Sequence, residues 1–128
     1  MPVTDEPAII DVADTLFRAI EQTDIAMIEK LFNDDIAVWH SGDAADNDRA
    51  RALRVISWFI NRTVERRYEI LDRQVFEGGF VQQHILHATG TNEGVIALRV
   101  CIVIKLAANG LISRIDEYFD PKDMAALM

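Results

Sequence analysis

Hydrophobic residues are concentrated in the last third of the chain, in two runs that have the character of β-strands. Val95–Leu106 and Leu111–Phe119 are rich in β-branched residues, and Asn109-Gly110 lies between them. Asn-Gly between apolar runs is a strong signal for a hairpin, because a type I′ turn needs a positive φ at both central residues. We therefore predict an antiparallel hairpin with a type I′ turn and expect the rest of the chain to pack around it.

The first strand of this hairpin has two distinct faces. Because side chains alternate along a strand, one set should face the core and the other should form a half-apolar outer surface. The inner set is Leu98, Val100, Ile102 and Ile104, and the outer set is Arg99, Cys101, Val103 and Lys105. A half-apolar sheet surface of this kind favours association, so we expect a homodimer formed through it.

A single carboxylate interrupts the apolar face of the second strand. Glu117 shares that face with Ile115 and Phe119, where burying a carboxylate is costly unless it has a partner or a chemical role. The simpler interpretation is a glutamate at a strand end that reaches water. Because Ile115 and Phe119 must face the core, we nevertheless predict that Glu117 points into the cavity, close enough to His84 for a direct or water-bridged hydrogen bond.

The rest of the chain reads as helix, helix, strand, helix and then four antiparallel strands. Caps, prolines and apolar spacing mark the helices, and Gly78-Gly79 marks a turn between two strands. The predicted helices start at Thr4–Glu6 before Pro7, at Asp24 and after the polar loop Ser41–Asp48, while the first three predicted strands are Ile36–His40, Tyr68–Phe76 and Phe80–Thr89.

Four polar side chains interrupt the central strand between Val81 and His87. Gln82 and His84 face one way, and Gln83 and His87 face the other. We favour Gln82 and His84 as pocket residues, with a polar layer in a subunit interface as the alternative. Because His84 and His87 point to opposite faces, they cannot chelate one metal ion, and we expect neither a metal nor another cofactor.

Composition bounds the remaining possibilities. At 128 residues, with 50% hydrophobic and 27% charged residues, the chain is expected to form one globular domain, residues 1–128. A net charge of −8 argues against nucleic-acid and membrane partners, because both need a basic surface. Arginines cluster between Arg49 and Arg67, which we interpret first as a solvated helix face and second as an anion site. No signal peptide is visible, so a cytoplasmic protein is expected.

Three short motifs carry a resemblance to a known family. They are Phe17-Arg18-Ala19 to Asp24, Leu31-Phe32-Asn33-Asp34-Asp35, and Asn109-Gly110 to Glu117-Tyr118-Phe119-Asp120. From Ile10 to Met124 the chain resembles the nuclear transport factor 2-like superfamily, and within it the branch of SnoaL-like polyketide cyclases and ketosteroid isomerases. The resemblance implies a single SnoaL-like domain with an α+β, cystatin-like fold, in which a cone-shaped, curved antiparallel sheet wraps around three N-terminal helices and leaves a pocket.

The resemblance also suggests functional positions. The general base of the ketosteroid isomerases falls on His40, but their two oxyanion donors fall near Leu16 and Ile102, so that mechanism is not supported. The water-activating aspartate of limonene-1,2-epoxide hydrolases falls on Glu117. Their arginine–aspartate pair would fall within Gln82–His87, where neither residue type occurs.

We therefore predict a small-molecule enzyme of SnoaL-like type that uses acid/base chemistry for cyclisation, isomerisation or hydration of an apolar substrate. The candidate catalytic residues are Glu117, His84 and His40, and the candidate substrate-binding residues are Trp39, Trp58, Gln82, Leu16, Ile102 and Phe119. Two alternatives stay open: a module that binds an apolar small molecule without turnover, and a protein-interaction domain.

Overall fold

A computed structural model describes residues 5–128, so Thr4, in the predicted first helix start, lies outside the described residues. The elements are the helices α1 (Glu6–Glu21), α2 (Ile25–Leu31) and α3 (Arg49–Arg62), the strands β1 (Phe32–His40), β2 (Thr63–Phe76), β3 (Gly79–Gly90), β4 (Val95–Leu106) and β5 (Ile112–Tyr118), and a 3₁₀ helix, Pro121–Leu127. Within residues 5–128 every helix is too short or too polar to span a bilayer.

Local sequence signals fix the helix starts. The Asp24 carboxylate accepts a hydrogen bond of 3.1 Å from the Met27 backbone, and Asp48 accepts one of 2.9 Å from the Arg51 backbone. These bonds satisfy backbone N–H groups that have no partner within the first helical turn. The helix order along the chain is therefore the predicted one.

All five strands belong to one sheet in the order β1-β5-β4-β3-β2. The pairs from β2 to β5 are antiparallel, whereas β1 joins β5 in parallel at one edge. The helices α1 and α3 pack against the sheet and cover the concave side of this curved, unclosed sheet. The predicted α+β cone is confirmed.

The alternation in β4 is also confirmed. Leu98, Val100, Ile102 and Ile104 are each at most 3% exposed. On the opposite face, Arg99 and Lys105 are exposed, while Cys101 and Val103 are half-buried. This strand thus contributes one continuous apolar stripe to the interior of the cone.

The hairpin between β4 and β5 forms, but its turn differs from the predicted type I′. Gly110 has a φ of 84°, whereas Asn109 is not among the non-glycine residues with positive φ in the described chain. The Ala107 N–H donates to the Leu111 carbonyl at 2.8 Å and encloses a three-residue loop. Such loops need only one left-handed residue, here Gly110, because the two preceding residues form an ordinary turn.

Two irregularities change the expected strand starts. The pairing of β4 with β5 shifts register near Leu106, which buries Ile112 completely and leaves Leu111 half-buried, contrary to the simple alternation. The polar segment Asn33–Asp35, which precedes the predicted strand Ile36–His40, lies inside β1, where the pairing with β5 is interrupted. A β-bulge accommodates extra residues in this way without ending the strand.

Candidate active site

A cavity of about 540 Å³ lies inside the cone. Its walls come from the helices, the inner face of the sheet and the C-terminal 3₁₀ helix, and most of the lining side chains are apolar. The predicted pocket residues Leu16, Trp58, Ile102 and Phe119 all line it. An enclosed apolar space with a few polar groups is the typical form of a small-molecule site.

The parallel pairing of β1 with β5 places two candidate catalytic side chains side by side at the cavity wall. His40 ends β1 and is the register partner of Glu117 in β5. The His40 Nε2 atom lies 4.0 Å from Glu117 Oε1, and both residues line the cavity. The next residue, Ser41, holds the strand ends together, because its backbone N–H donates to the Glu117 carbonyl at 3.0 Å.

The environment of Glu117 favours its protonated form. The side chain keeps 28% of its surface exposed, but that surface opens onto the apolar cavity. Burial raises the pKa of the Glu117 carboxyl, and the charge of His40 lowers that pKa by a smaller amount. A carboxyl group with a raised pKa is a stronger base than an ordinary carboxylate and returns the proton as a weaker acid.

A second carboxylate orients His40. The Nδ1 atom of His40 lies 3.1 Å from Asp43 Oδ2, and the same oxygen accepts hydrogen bonds from the His40 backbone and from the Asn47 side chain, each at 2.9 Å. Partial burial opposes ionisation of Asp43, but these hydrogen bonds outweigh it and lower the pKa of the carboxyl. An ionised carboxylate only accepts hydrogen bonds, so the Nδ1 atom carries a proton and Nε2 is directed to Glu117.

Tyr68 adds a phenol to the same cavity. It projects from β2, lines the cavity and packs its ring 4.8 Å from that of Phe17. Burial, and to a smaller extent the charge of Glu117, raises the pKa of Tyr68 well above its usual range. Within residues 5–128 the phenol oxygen makes no hydrogen bond to protein, so this neutral hydroxyl can donate to a ligand.

The structure places two predicted site residues behind the cavity wall. His84 is 1% exposed and Gln82 is fully buried, and neither lines the cavity. The His84 ring lies against Phe17 and Tyr68, with ring centroids 5.5 and 4.9 Å away. Their side chains bond to one another along the strand, because Gln82 Nε2 lies 2.8 Å from His84 Nδ1 and Gln82 Oε1 accepts from Arg73 at 2.8 Å.

His84 is therefore suited to packing rather than to proton transfer. Burial, reinforced by the charge of Arg73, lowers the pKa of His84 to about 4, so the ring is neutral near pH 7. The expected direct hydrogen bond to Glu117 does not form among the described residues, where Glu117 pairs with His40 instead. The bond does not form because the rings of Phe17 and Tyr68 lie between His84 and the cavity.

The two tryptophans have different positions. Trp58 lines the cavity and is 40% exposed at its rim. Trp39 does not line the cavity: its indole N–H donates to the Asp43 carbonyl at 3.0 Å, and its ring lies 5.2 Å from that of Tyr118. Trp39 thus supports the loop that carries Asp43.

Three polar residues of this site were not identified from the sequence. Asp43 and Asn47 belong to the polar loop after β1, and Tyr68 was noted only as a strand start. The one available signal was an aspartate three residues after His40, which is a distance at which a turn brings the two side chains together. In the described part of the chain, no group of three or more His, Cys, Asp or Glu side chains has a metal-binding arrangement.

One protein family and several solved structures are similar to this chain. Residues 13–115 match the SnoaL-like domain family. The fold is similar to that of SalBIII, an epoxide hydrolase/cyclase-like enzyme with a role in pyran ring formation in the polyether salinomycin (TM-score 0.82, 15% identity, covering 94% of this chain and 97% of that chain). No curated protein matches the sequence.

Two further solved structures share the fold. One is an LEH-like epoxide hydrolase from M. tuberculosis (TM-score 0.77, 16% identity, covering 94% of this chain and 89% of that chain). The other is a protein of Shewanella denitrificans named as a SnoaL-like polyketide cyclase (TM-score 0.78, 17% identity, covering 94% and 96%). At these identities the likeness concerns the fold.

Proposed function

Because the chain belongs to the SnoaL-like domain family, we propose that it is an enzyme that moves a proton on an apolar small molecule bound in its cavity. The observation that carries this proposal is the pairing of Glu117 with His40 at 4.0 Å in the wall of a largely apolar cavity. Pairs of titratable groups with different environments are typical of acid/base sites.

Glu117 is the proton acceptor in this mechanism. Its carboxylate removes a proton from a carbon next to a substrate carbonyl, and the electron pair of the broken C–H bond moves to the carbonyl oxygen and forms an enolate. The raised pKa of Glu117 makes it a stronger base than an ordinary carboxylate. The Tyr68 hydroxyl, which stays neutral, donates a hydrogen bond to the enolate oxygen.

The proton then returns to the product. In an isomerisation it is delivered to a different carbon of the enolate, and the electron pair returns from oxygen to carbon. In a cyclisation the enolate carbon attacks a second carbonyl of the same molecule, and the new alkoxide takes the proton. His40, held by Asp43, stabilises the charged carboxylate or relays its proton through Nε2.

Exchange of substrate hydrogen for deuterium tests this chemistry without knowledge of the natural substrate. Wild-type protein is incubated in D₂O with a panel of mono-, bi- and tricyclic ketones, and deuterium uptake next to the carbonyl is measured by mass spectrometry. Accelerated exchange with at least one ketone, reduced about 100-fold or more by Glu117→Gln, is the expected result. Glu65→Gln, which alters an exposed glutamate of β2, is the matched control.

Two results would contradict the proposal. Exchange that persists in Glu117→Gln would place the base elsewhere. Tight binding of the ketones with no exchange in the wild type would favour the alternative of a binding module, which the largely apolar lining of the cavity also suits.

A further inference from the structure

A second groove opens at the rim of the cavity, along α3. It is lined by Arg51, Arg54, Val55 and Trp58 and has a volume of about 340 Å³. Three of these residues, Arg51, Val55 and Trp58, also line the main cavity. The groove therefore adjoins the cavity at these three side chains, so that a ligand group at the cavity rim is within reach of the groove.

This groove is positively charged in an acidic protein. The sequence of α3, RARALRVISWFINR, contains four arginines and no acidic residue, whereas the whole chain has a net charge of −8. A local charge of the opposite sign attracts anions, particularly beside a low-dielectric cavity. The charge of α3 is thus opposite in sign to the net charge of the chain.

Two of the four arginines are already engaged by the fold. Arg49 donates to the backbone carbonyls of Glu29 at 2.6 Å and Phe32 at 3.4 Å, and the Arg62 guanidinium lies 5.4 Å from the ring centroid of Trp58. By contrast, none of the ion pairs within residues 5–128 involves Arg51 or Arg54. These two exposed guanidinium groups are the ones available at the rim.

The spacing of Arg51 and Arg54 brings their charges together. Residues three apart lie on the same side of a helix, so the two like charges repel one another. An anion between them removes this cost, and the planar guanidinium group suits the paired oxygens of a carboxylate, phosphate or sulfonate. Trp58, one turn beyond Arg54, is 40% exposed and lines both the groove and the cavity.

We propose that Arg51 and Arg54 bind an anionic group of the cavity ligand, so that the substrate is an amphipathic anion: an apolar body in the cone joined to a carboxylate or phosphate at the rim. This inference rests on the proposed function in one respect, that the cavity holds a small molecule. The rest depends on the charge of the groove and on the three side chains that it shares with the cavity.

Two fluorescent probes of nearly equal shape test the inference. 8-Anilinonaphthalene-1-sulfonate carries a sulfonate, whereas N-phenyl-1-naphthylamine is the same aromatic body without it, and both fluoresce more strongly in apolar sites. Dissociation constants for both are measured by titration with the wild type and with the double variant Arg51→Gln/Arg54→Gln. The double variant Arg18→Gln/Arg67→Gln removes two exposed charges outside the groove and the cavity and is the control.

The wild type should prefer the sulfonate probe about tenfold, and the preference should weaken as salt concentration rises. Arg51→Gln/Arg54→Gln should abolish the preference without changing the affinity for the neutral probe, while the control variant keeps it. Absence of a sulfonate preference in the wild type, or equal weakening of both probes in the variant, would overturn the inference. The probe titrations do not depend on turnover. A negative result in them is therefore distinguishable from a failure of the deuterium-exchange experiment, which tests the proposed function.

A third measurement tests whether the same two arginines bind a membrane surface instead of a small ligand. Binding to vesicles of phosphatidylglycerol is compared for the wild type and the Arg51→Gln/Arg54→Gln variant. We expect no vesicle binding that depends on these two arginines. Vesicle binding lost in the variant, together with an unchanged sulfonate preference, would assign the arginines to a lipid surface and overturn the proposal.

Discussion

His40 and Glu117 face one another across the only parallel strand pair of the described sheet, with 4.0 Å between Nε2 and Oε1. In parallel strands, register partners project to the same side of the sheet, here into the cavity. Behind this pair Asp43 fixes the imidazole at 3.1 Å. The arrangement gives one proton a route between two groups whose environments differ.

Replacement of His40 separates a chemical role from a structural one. His40→Asn should reduce exchange or turnover about 100-fold, because the carboxylate loses its partner, while the free energy of unfolding changes by less than about 1 kcal/mol at this partly exposed strand end. His87→Asn, which alters a histidine paired with Glu69, is the control and should keep activity. A large loss of stability in His40→Asn would instead show a structural role.

The phenol of Tyr68 is tested by removing its oxygen alone. Tyr68→Phe keeps the ring packing on Phe17 and should lower turnover about 10- to 100-fold with little change in KM, since an oxyanion donor acts mainly in the transition state. Tyr118→Phe, at a half-exposed tyrosine outside the cavity, is the control. Unchanged kcat in Tyr68→Phe would remove the phenol from the mechanism.

The ionised form of Glu117 should lower the free energy of unfolding, although the carboxylate is needed for activity. Because its pKa is raised above the ordinary 4.5, the folded state binds the proton more tightly than the unfolded state, and wild-type stability falls as pH rises from 4.5 through the folded pKa. Glu117→Gln should therefore be more stable than the wild type at pH 8 and lose that advantage below pH 4.5. Urea unfolding at both pH values measures this, and a pH-independent difference would contradict it.

His84 should make the protein sensitive to acid. Its pKa is about 4 in the folded state against 6.5 for an ordinary histidine, so its contribution is fully present above pH 6.5 and is lost as pH falls towards 4. The loss amounts to at most about 3 to 4 kcal/mol, since a tenfold change in proton affinity is worth about 1.4 kcal/mol. His84→Gln, which retains an acceptor for Gln82, should reduce the difference in unfolding free energy between pH 7 and pH 4.5. An unchanged difference would place the acid sensitivity elsewhere.

The outer face of β4 is expected to join two copies of the chain. Arg99, Cys101, Val103 and Lys105 occupy this face. Val103→Glu should convert a dimer to a monomer in light scattering at micromolar concentration, because it introduces a charge into a half-apolar contact. Val64→Glu, at an exposed valine of β2, is the control. A wild-type monomer would contradict the prediction.

Local sequence signals were sufficient for the fold and for part of the site. The alternation of β4, the caps Asp24 and Asp48 and the hairpin at Gly110 depend on neighbouring residues, and the structure confirms each of them. The inward direction of Glu117 also follows from alternation, because the register shift of β5 lies before Ile115.

The remaining features depend on contacts that alternation does not encode. Phe17 and Tyr68 pack against His84 and separate its ring from the cavity. The partner of Glu117 is decided by the parallel register of β1 and β5, which no turn or periodic pattern specifies. The orientation of His40 depends on a loop, where one hydrogen bond to Asp43 determines which ring nitrogen is directed to the site.

The parallel pairing of β1 with β5 also has a consequence for synthesis of the protein. His40 is made early and Glu117 near the end of the described chain, so their strands meet only after every other strand has been produced. Closing so long a loop is slow and cooperative with the rest of the sheet. Because β5 also contributes Ile115 to the cavity wall, the cavity and the His40–Glu117 pair are completed in the same step of folding.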